Sequence, residues 1–344
     1  MRFYRSDDQL LHNPQTFMVR GNMVASEDRP ERATLLEAGA LEAGLERCEA
    51  RNHPFLSKAG VHSADYLDFL INGYDEWKRL PGAADEIHAN VSPSREHAGY
   101  PSSIVGRAGW HLGDHAAPIG PNTAISVLAT ADVALSAVHD VLGGERESYA
   151  LCRSPGHHCS RDQAAGHCFL NNVAIAVSSA LLKGHRPAVI DIDVHHGNGT
   201  QEIFYDRADV LTISVHVDPD EFYPFYWGRK DERGTGDGKG ANINYPLAVG
   251  AGDTVWLQAL EQAAQRVLSF GADVLFVALG LDAYEHDPLG GMKVSTQGFS
   301  RAGKMLGEID LPIVLVQEGG YISDALSTNL REFLLAFRHA RDAQ

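Results

Sequence analysis

Four continuous apolar runs in the second half of the chain constrain its fold more than any other feature. They are rich in β-branched residues and span Ala188–Asp193, Val210–Val215, Val274–Leu279 and Ile313–Val316. Runs of this length predict strands buried on both faces, which is typical of a parallel sheet. Helix candidates alternate with them, at Val173–Lys183, Thr254–Phe270, Thr296–Gly307 and Asp324–Ala340. This alternation predicts an α/β fold with a parallel multi-stranded sheet flanked by helices on both faces.

The first half of the chain shows no linker or repeat that would mark a separate domain. It adds a helix candidate at Ala129–Leu142 and a short strand candidate at Tyr149–Arg153. We therefore predict a single domain over residues 1–344, with a long insertion loop at about 80–123 that is rich in Gly, Pro and His. Loops longer than about 15 residues are usually functional or disordered. A second loop, Val217–Gly240, holds an aromatic cluster that is equally compatible with a small local core and with a pocket rim.

The charge of the chain bears on its partners. It carries 45 acidic and 29 basic side chains, which gives a formal net charge of −16. Sequence-independent nucleic-acid binding depends on Lys and Arg contacts to phosphate, so no nucleic-acid partner is expected. The acidity suits a cationic partner, or it serves mainly to keep the protein in solution.

Cysteine usage and apolar segments bear on the compartment. The four cysteines form no CxxC pair, which argues against a thiolate zinc site. A chain of this length does not need disulfide bonds for stability. The N-terminus lacks the apolar run of a secretory signal, and no stretch approaches the about 20 apolar residues of a transmembrane helix. We therefore expect a cytoplasmic protein with no membrane partner.

Ligand-type side chains follow two of the predicted strands. Side chains alternate faces along a strand, so Asp191, Asp193 and His195 are predicted to point the same way. Asp282 follows another buried strand, and ligands bind beyond the carboxyl ends of parallel strands. Asp193, His195 and Asp282 would leave one position open, which is the pattern of a catalytic divalent metal. The alternatives are a hydrated strand end for the first three residues and a helix N-cap for Asp282.

Two further strand ends carry candidate catalytic residues. His157 and His158 follow the Tyr149–Arg153 strand, and adjacent imidazoles can act as general base and acid near neutral pH. Each needs an orienting partner, for which Asp191 and Asn198 are candidates. Tyr321 follows a Gly-Gly turn after the last strand, where a tyrosine hydroxyl can donate to a developing oxyanion.

These residues lie in motifs that resemble the histone deacetylase/acetylpolyamine amidohydrolase family, which shares its fold with arginase. The motifs are RSPGHH, GHCFLNN, DIDVHHGNGTQEIFY, ISVH, GLDAYEHDP and EGGY, in the family's order. The N-terminal MVRGNMVASEDRPERA and the long insertion loop resemble the acetylpolyamine amidohydrolase branch, in which such a loop narrows the site at a dimer interface. The resemblance therefore implies a single-domain arginase/deacetylase-like fold and a homodimer or higher homo-oligomer.

The resemblance also implies metal sites. Asp193, His195 and Asp282 would bind one metal ion per subunit. Zn²⁺ is the first choice, with Fe²⁺, Co²⁺ or Mn²⁺ as alternatives. A structural K⁺ is implied at Asp191, Asp193, His195, Ser214 and Val215. Arginase-like enzymes have another carboxylate two positions after the residue that corresponds to Asp282. Tyr284 stands there in this chain, which argues against a binuclear manganese centre.

Catalytic and substrate roles are implied in the same way. His158 would be the general base and then the general acid, oriented through Asn198, and His157, paired with Asp191, would be its electrostatic partner. Tyr321 would bind the substrate carbonyl oxygen. Substrate-lining positions correspond to Gly166, His167, Tyr223 and Gly320. His167 departs from the family, which more often has an uncharged aromatic residue there, so we expect it to be neutral and to form an aromatic wall.

Three hypotheses about function follow. The first is hydrolysis of a small cationic N-acetylated polyamine or diamine, such as acetylputrescine or acetylcadaverine, to acetate and a free amine. Candidate acids for its charged end lie in the long loop, at Asp85, Glu86, Glu96 and Asp114. The second is deacetylation of acetyl-lysine in proteins. The third, a non-catalytic metal-binding scaffold, would have no need for the histidine pair or for Tyr321.

Overall fold

All the predicted strands lie side by side in one sheet of the computed structural model, which describes all 344 residues. The strands are β1 (Arg2–Arg5), β2 (Thr16–Val19), β3 (Asn22–Ala25), β4 (Glu46–Glu49), β5 (Glu147–Ala150), β6 (Pro187–Asp191), β7 (Leu211–Val217), β8 (Asn242–Leu247), β9 (Val274–Leu279) and β10 (Ile313–Gln317). The helices are α1 (Glu31–Glu42), α2 (Phe55–Ala59), α3 (Ala64–Trp77), α4 (Ile104–His111), α5 (Thr123–Val141), α6 (Asn172–Leu182), α7 (Asn198–Phe204), α8 (Asp253–Phe270), α9 (Thr296–Gly307) and α10 (Leu326–Asp342).

Eight of the strands form a wholly parallel sheet in the order β4-β1-β5-β10-β9-β6-β7-β8. Successive side chains of its central strands point alternately into two hydrophobic cores. In β9, Leu275 and Val277 pack on the face covered by α1, α8, α9 and α10. Val274 and Phe276 pack on the opposite face, with α3, α5 and α6. Burial on both faces explains the continuous apolar runs and confirms the predicted fold class.

Sequence reasoning missed the edges of the sheet. The two edge strands, β4 and β8, have the sequences ERCE and NINYPL, and β4 is largely exposed. The missed strand β1, with the sequence RFYR, lies between β4 and β5 and is only four residues long. An outer strand keeps its polar side chains in water, so it lacks the apolar run that marks a buried strand. The hairpin of β2 and β3 lies outside the main sheet and is equally short. Helix α5 also begins earlier than predicted, at Thr123 instead of Ala129.

The long segment at 80–123 has some regular structure of its own. Helix α4 lies within it, and the Ser103 side chain caps this helix by accepting the backbone N–H of Gly106 at 3.2 Å. Ile87 and Ile119 form an antiparallel bridge near its two ends. The remainder is irregular and runs toward the carboxyl edge of the sheet, where Asp114 accepts the backbone N–H of Gly166.

By length and composition, only α5 among the helices is apolar enough to cross a membrane. An 18-residue window within it has a mean hydropathy of 1.4, and 67% of that window is buried by the rest of the protein. The helix packs against β5 and α6 in one of the two cores. It is a helix of the protein interior in this fold.

His62 joins the α2–α3 turn to the loop that carries the histidine pair. Its ring is buried, with Nδ1 3.1 Å from the carbonyl oxygen of Ser160 and Nε2 accepting the backbone N–H of Asn171 at 3.0 Å. One ring nitrogen is therefore a donor and the other an acceptor, which requires the neutral imidazole. Burial lowers the pKa of His62 to about 4.

This environment predicts a loss of stability in mild acid. The unfolded chain takes up a proton at His62 near its ordinary pKa of about 6.5, whereas the folded chain does so only near about 4. The free energy of unfolding contributed by the neutral ring is therefore complete above pH 6.5 and falls by up to about 3 kcal/mol as the pH drops to about 4. Urea unfolding at pH 7 and pH 4.5 should show a smaller difference for His62→Gln than for the wild type. The exposed control His97→Gln should behave like the wild type, and equal pH dependence in all three proteins would contradict the assignment.

Candidate active site

Four loops meet at the carboxyl edge of the sheet. They follow β5, β10, β9 and β6, which are neighbours in the sheet. They carry, in that order, the histidine pair, Tyr321, Asp282 and the Asp193–His195 segment. The parallel arrangement brings all of these residues to one cleft, as the sequence predicted.

Asp193 and His195 reach the cleft by a different route from the one predicted. The strand ends at Asp191, so strand alternation does not align them. Instead the backbone folds back on carboxylates: the N–H of Asp193 donates to Asp191 Oδ1 at 3.1 Å, and that of His195 donates to Asp193 Oδ1 at 2.9 Å. Each bond joins a carboxylate to the N–H two residues on, which is a typical aspartate turn.

Asp193, His195 and Asp282 form a group that can hold a metal ion, with one ligand atom of each within 4.8 Å of the others. His195 Nδ1 lies 3.1 Å from Asp193 Oδ1 and 3.3 Å from Asp282 Oδ2. The outer oxygens are held by backbone N–H groups, from Gly319 to Asp193 Oδ2 and from Val194 to Asp282 Oδ1. Asp282 Oδ2 is buried and has no hydrogen-bond partner. An oxygen, oxygen and nitrogen donor set with an unsatisfied buried carboxylate oxygen fits a divalent cation.

The pKa shifts of these residues also favour a bound cation. Burial and the neighbouring charge of Asp193 raise the pKa of Asp282 to about 6. Burial alone would lower the pKa of His195, but the adjacent carboxylates of Asp193 and Asp282 outweigh it and raise the pKa to about 9. Two buried carboxylates share one imidazole, so the group carries excess negative charge that a cation would neutralise. The N-cap interpretation of Asp282 is wrong, because no helix begins at this residue.

The two histidines have the partners that the sequence predicted. Nδ1 of His157 lies 2.9 Å from Asp191 Oδ2, and Nδ1 of His158 lies 2.7 Å from Asn198 Oδ1. Burial lowers the pKa of His157, but the carboxylates of Asp193 and Asp191 outweigh it and raise the pKa well above its ordinary value. Burial and the positive charges of His157 and His195 lower the pKa of His158 well below its ordinary value. The pair therefore consists of one charged and one neutral imidazole.

Tyr321 is held by residues that sequence reasoning did not single out. Its backbone N–H donates to Asp287 Oδ2 at 2.7 Å, and its ring stacks on the Arg32 guanidinium, 4.6 Å from the ring centroid. Arg32 also donates to the carbonyl oxygens of Glu318 and Gly320, and it is fully buried against Asp28. Burial raises the pKa of Tyr321 well above its ordinary value, so its hydroxyl remains a donor.

The signal for Arg32 was present but indirect. The residue lies in the MVRGNMVASEDRPERA segment, whose carboxylate and guanidinium at positions 28 and 32 are one helical turn apart. Such a pair is more often exposed than buried, so spacing alone could not place it under the cleft.

Substrate-lining candidates form the wall of the cleft. Gly166 and His167 both have positive φ, at 53° and 65°, in the turn that brings the His167 ring within 5.8 Å of the Tyr321 ring. Burial lowers the pKa of His167, in agreement with the expected neutral ring. Tyr223 lies edge-on to His158 at 4.9 Å, and Phe222 stacks on His195 at 5.1 Å.

The aromatic loop therefore contributes a pocket wall and not only a local core. Phe225, Tyr226 and Trp227 continue it to an exposed rim. Gly320, with a φ of 109°, allows the sharp turn before Tyr321.

The four loop acids are not equivalent. Asp114 accepts the Tyr223 hydroxyl at 2.7 Å and is the one that contacts the cleft wall. Asp85 pairs with Lys78 on the surface, Glu86 binds Gln15 and Thr16, and Glu96 is exposed.

The implied potassium ligands lie on adjacent strands. Asp191 of β6 stands directly opposite Ser214 of β7 in the sheet register. The Ser214 hydroxyl lies 2.8 Å from Nδ1 of His216, and Val215 follows it along the strand. The arrangement places a carboxylate and a hydroxyl opposite each other on neighbouring strands.

Comparison with known proteins agrees with this architecture. The Histone deacetylase domain family model matches residues 26–337. The chain is 40% identical to an acetylpolyamine amidohydrolase of Burkholderia pseudomallei over 98% of both chains, and 34% identical to that of Mycoplana ramosa over 97% of this chain and 98% of the relative. A crystal structure of the acetylpolyamine aminohydrolase from Burkholderia pseudomallei superposes with a TM-score of 0.96 at 40% identity, covering 99% of each chain. The chain therefore belongs to the histone deacetylase family and, within it, to the acetylpolyamine amidohydrolase group.

Proposed function

We propose that the protein is a metal-dependent deacetylase that hydrolyses small N-acetylated polyamines or diamines to acetate and a free amine. The observation that carries the proposal is the convergence, on four neighbouring strand ends, of a metal-ligand group, a paired His157–His158 and a buried Tyr321. Full-length similarity to acetylpolyamine amidohydrolases supports the substrate class. We further propose that residues 1–344 form one catalytic domain that acts in the cytoplasm.

Asp193, His195 and Asp282 are proposed to hold the ion, with Zn²⁺ as the first choice and Fe²⁺, Co²⁺ or Mn²⁺ as alternatives. When bound, such an ion polarises a carbonyl oxygen and lowers the pKa of water. The donor set of two carboxylates and one imidazole suits each of these metals.

His158 is proposed to move the protons of the reaction. Its Nδ1 faces Asn198 Oδ1, so this nitrogen carries the hydrogen and Nε2 is free to accept a proton from the attacking water. The lowered pKa keeps His158 neutral before the attack. The same Nε2 then delivers the proton to the departing amine nitrogen. His157, charged against Asp191, contributes positive charge next to the reacting carbonyl group.

Tyr321 is proposed to donate its hydroxyl hydrogen to the substrate oxygen as negative charge develops there. Its buried ring is fixed by Arg32, so the donor needs little reorganisation. Gly166, His167, Tyr223 and Gly320 would enclose the acetyl group and the aliphatic stem. Asp114, at the outer side of Tyr223, is the best placed of the loop acids for the cationic end of the substrate.

Two further sites are proposed from the same arrangement. A structural K⁺ would be bound by Asp191 and Ser214 with the backbone at Asp193, His195 and Val215, since oxygen donors suit a hard cation. A homodimer or higher homo-oligomer is supported by the exposed apolar side chains of the β2–β3 hairpin, whose buried Phe17 contacts His167. The exposed hairpin residues are Met18, Val19, Met23 and Val24.

A second candidate function is deacetylation of acetyl-lysine in proteins. The observation that favours it is the 39% identity, over 59% of this chain, to a protein of Arabidopsis thaliana named Histone deacetylase 8. Both candidates use the same chemistry and differ only in what enters the cleft.

Removing the Tyr321 hydroxyl should lower turnover without weakening binding. In Tyr321→Phe, kcat on an acetylated diamine should fall by about 10²–10³, the usual effect of one oxyanion donor, with little change in KM. The half-buried Tyr245→Phe, on the edge strand β8 and separated from β6 by β7, is the matched control and should retain wild-type kinetics. Near-full turnover of Tyr321→Phe would remove this residue from the mechanism.

A substrate series separates the two candidate functions. We expect kcat/KM to be higher for N-acetylated diamines and polyamines than for an acetyl-lysine peptide, because Asp114 favours a free cationic end over a peptide backbone. Diamines of increasing length would locate the best distance between the acetyl group and the charge. A peptide preferred over every small amine would overturn the polyamine assignment, and metal-stripped protein with full activity would overturn the metal assignment.

Metal binding should be detectable without an activity assay. Thermal unfolding of the metal-free protein should shift upward on adding Zn²⁺, by about 4 kcal/mol of stability at a thousandfold excess over Kd. Asp282→Asn should abolish most of that gain. The metal-free variant should be at least as stable as the metal-free wild type, since one of two repelling buried carboxylates is removed. An unchanged Zn²⁺ response in the variant would exclude Asp282 as a ligand.

A further inference from the structure

Glu318 is a buried carboxyl group that the proposed chemistry does not use. It follows β10 directly and lies three residues before Tyr321. Its side chain is fully buried, and burial raises its pKa to about 8. A group this unfavourable to bury needs a compensating role.

The Glu318 side chain contacts the loop after β5, which carries His157 and His158. Its Oε2 accepts two backbone N–H groups, from Gly156 at 2.5 Å and from His157 at 2.9 Å. One carboxylate oxygen also lies within 4.8 Å of a ring nitrogen of His157 and of Cys168 Sγ. Oε1 has no partner, so the carboxyl group is held by the histidine loop alone.

The backbone of Glu318 is fixed from the opposite side. Arg32 donates to the carbonyl oxygen of Glu318 at 2.9 Å and to that of Gly320 at 2.7 Å. The Tyr321 turn is thereby anchored on Arg32, and the Glu318 side chain extends from this anchor to the loop after β5. Gly156 has no room for a side chain, since a Cβ there would meet the backbone at Leu170 and Asn172. The two N–H groups therefore cannot move far to find other acceptors.

We infer that Glu318 is a positioning residue that fixes the His157–His158 loop relative to Tyr321, so that the proton carrier and the oxyanion donor act on the same substrate. The inference rests on the proposed deacetylase function. Without the carboxyl group, two buried N–H groups lose their acceptor and the loop shifts. A displacement of about 1 Å is enough to lower a rate by about 10².

Three variants separate the position of the acceptor from the presence of a carboxyl group. Glu318→Ala removes the acceptor, Glu318→Asp keeps the carboxyl group but withdraws it by about one C–C bond of 1.5 Å, and Glu318→Gln keeps an acceptor oxygen in place without an ionisable group. Thr212→Val is the matched control, because it deletes a buried hydrogen bond to Asn242 between β7 and β8, away from both loops. It should stay within about twofold of wild-type kcat.

The decisive measurement compares two leaving groups. An N-acetylated alkyl diamine needs a proton from His158 to release its amine, whereas an N-acetylated aryl amine, with a weakly basic nitrogen, depends on that proton less. We expect kcat of Glu318→Ala and Glu318→Asp to fall by about 10² on the alkyl substrate and by about tenfold less on the aryl substrate. Glu318→Gln should recover most of the alkyl activity.

Other results would overturn the inference. Equal losses on both substrates would mean a purely structural role. A Glu318→Asp variant with near-wild-type activity beside an impaired Glu318→Gln would mean that the carboxyl group matters and its position does not. If Glu318→Ala fails to fold, the contrast between Asp and Gln still decides. Wild-type protein inactive on all acetylated amines would refute the proposed function. In that case, amide hydrogen exchange at Gly156 and His157 tests only whether Glu318 holds these two N–H groups. Unchanged protection in Glu318→Asp would refute that positioning role.

Discussion

Asp193 and Asp282 lie side by side with no exposed surface, and the active edge of the sheet is organised around this constraint. Two adjacent buried carboxylates are unfavourable unless donors and positive charge face them. The donors are backbone N–H groups of the strand-end loops, together with the His195 imidazole. They do not satisfy the last oxygen of Asp282, which is why a bound cation is the natural completion of the site. Stability and function are in conflict here, because the features that would hold a metal destabilise the protein without it.

The same constraint explains two glycines beside the ligands. A Cβ on Gly280 would collide with the Asp193 side chain, and one on Gly319 would collide with the carboxylates of both Asp193 and Asp282. These glycines let the backbones of β9 and β10 approach the ligand group closely enough for the Gly319 N–H to reach Asp193. The GG of the EGGY motif thus serves two purposes, since its second glycine makes the turn to Tyr321 and its first admits the carboxylates.

Sequence reasoning recovered the centre of the molecule and lost its periphery, for one physical reason. Strands buried on both faces must be continuously apolar, so β6, β7, β9 and β10 were visible, and their carboxyl ends identified the ligand candidates. Edge strands such as β4 and β8 carry no such requirement and were missed. The ends of strands are harder to predict where the chain makes polar side-chain hydrogen bonds instead of packing apolar side chains. The β6 run was extended to Asp193, although the chain leaves the strand at Asp191 to form hydrogen-bonded turns on its own carboxylates.

The buried charged residues that support the site could not be predicted from the sequence, for a different reason. Arg32, Asp28 and Glu318 act through contacts between segments almost three hundred residues apart, and nothing in a local pattern shows that a charged residue will be buried. Such groups are most often at the surface, so a single sequence favours the wrong prediction for them. The MVRGNMVASEDRPERA and EGGY motifs contained them, but only the fold showed that the first supports the second.

The acidic excess of the chain can now be divided by what each carboxylate faces. Many of the buried or half-buried acids are neutralised by a basic partner, as Asp28 is by Arg32 and Asp132 by Lys58. Asp114 is different, because it contacts the cleft wall through Tyr223 and Gly166 and forms no ion pair with any basic side chain. A carboxylate beside a substrate channel with no cation of its own favours a ligand that brings one. The net charge of the whole chain therefore says little about specificity, whereas Asp114, which contacts Tyr223 and has no basic partner, is the acid from which we expect a preference for cationic substrates.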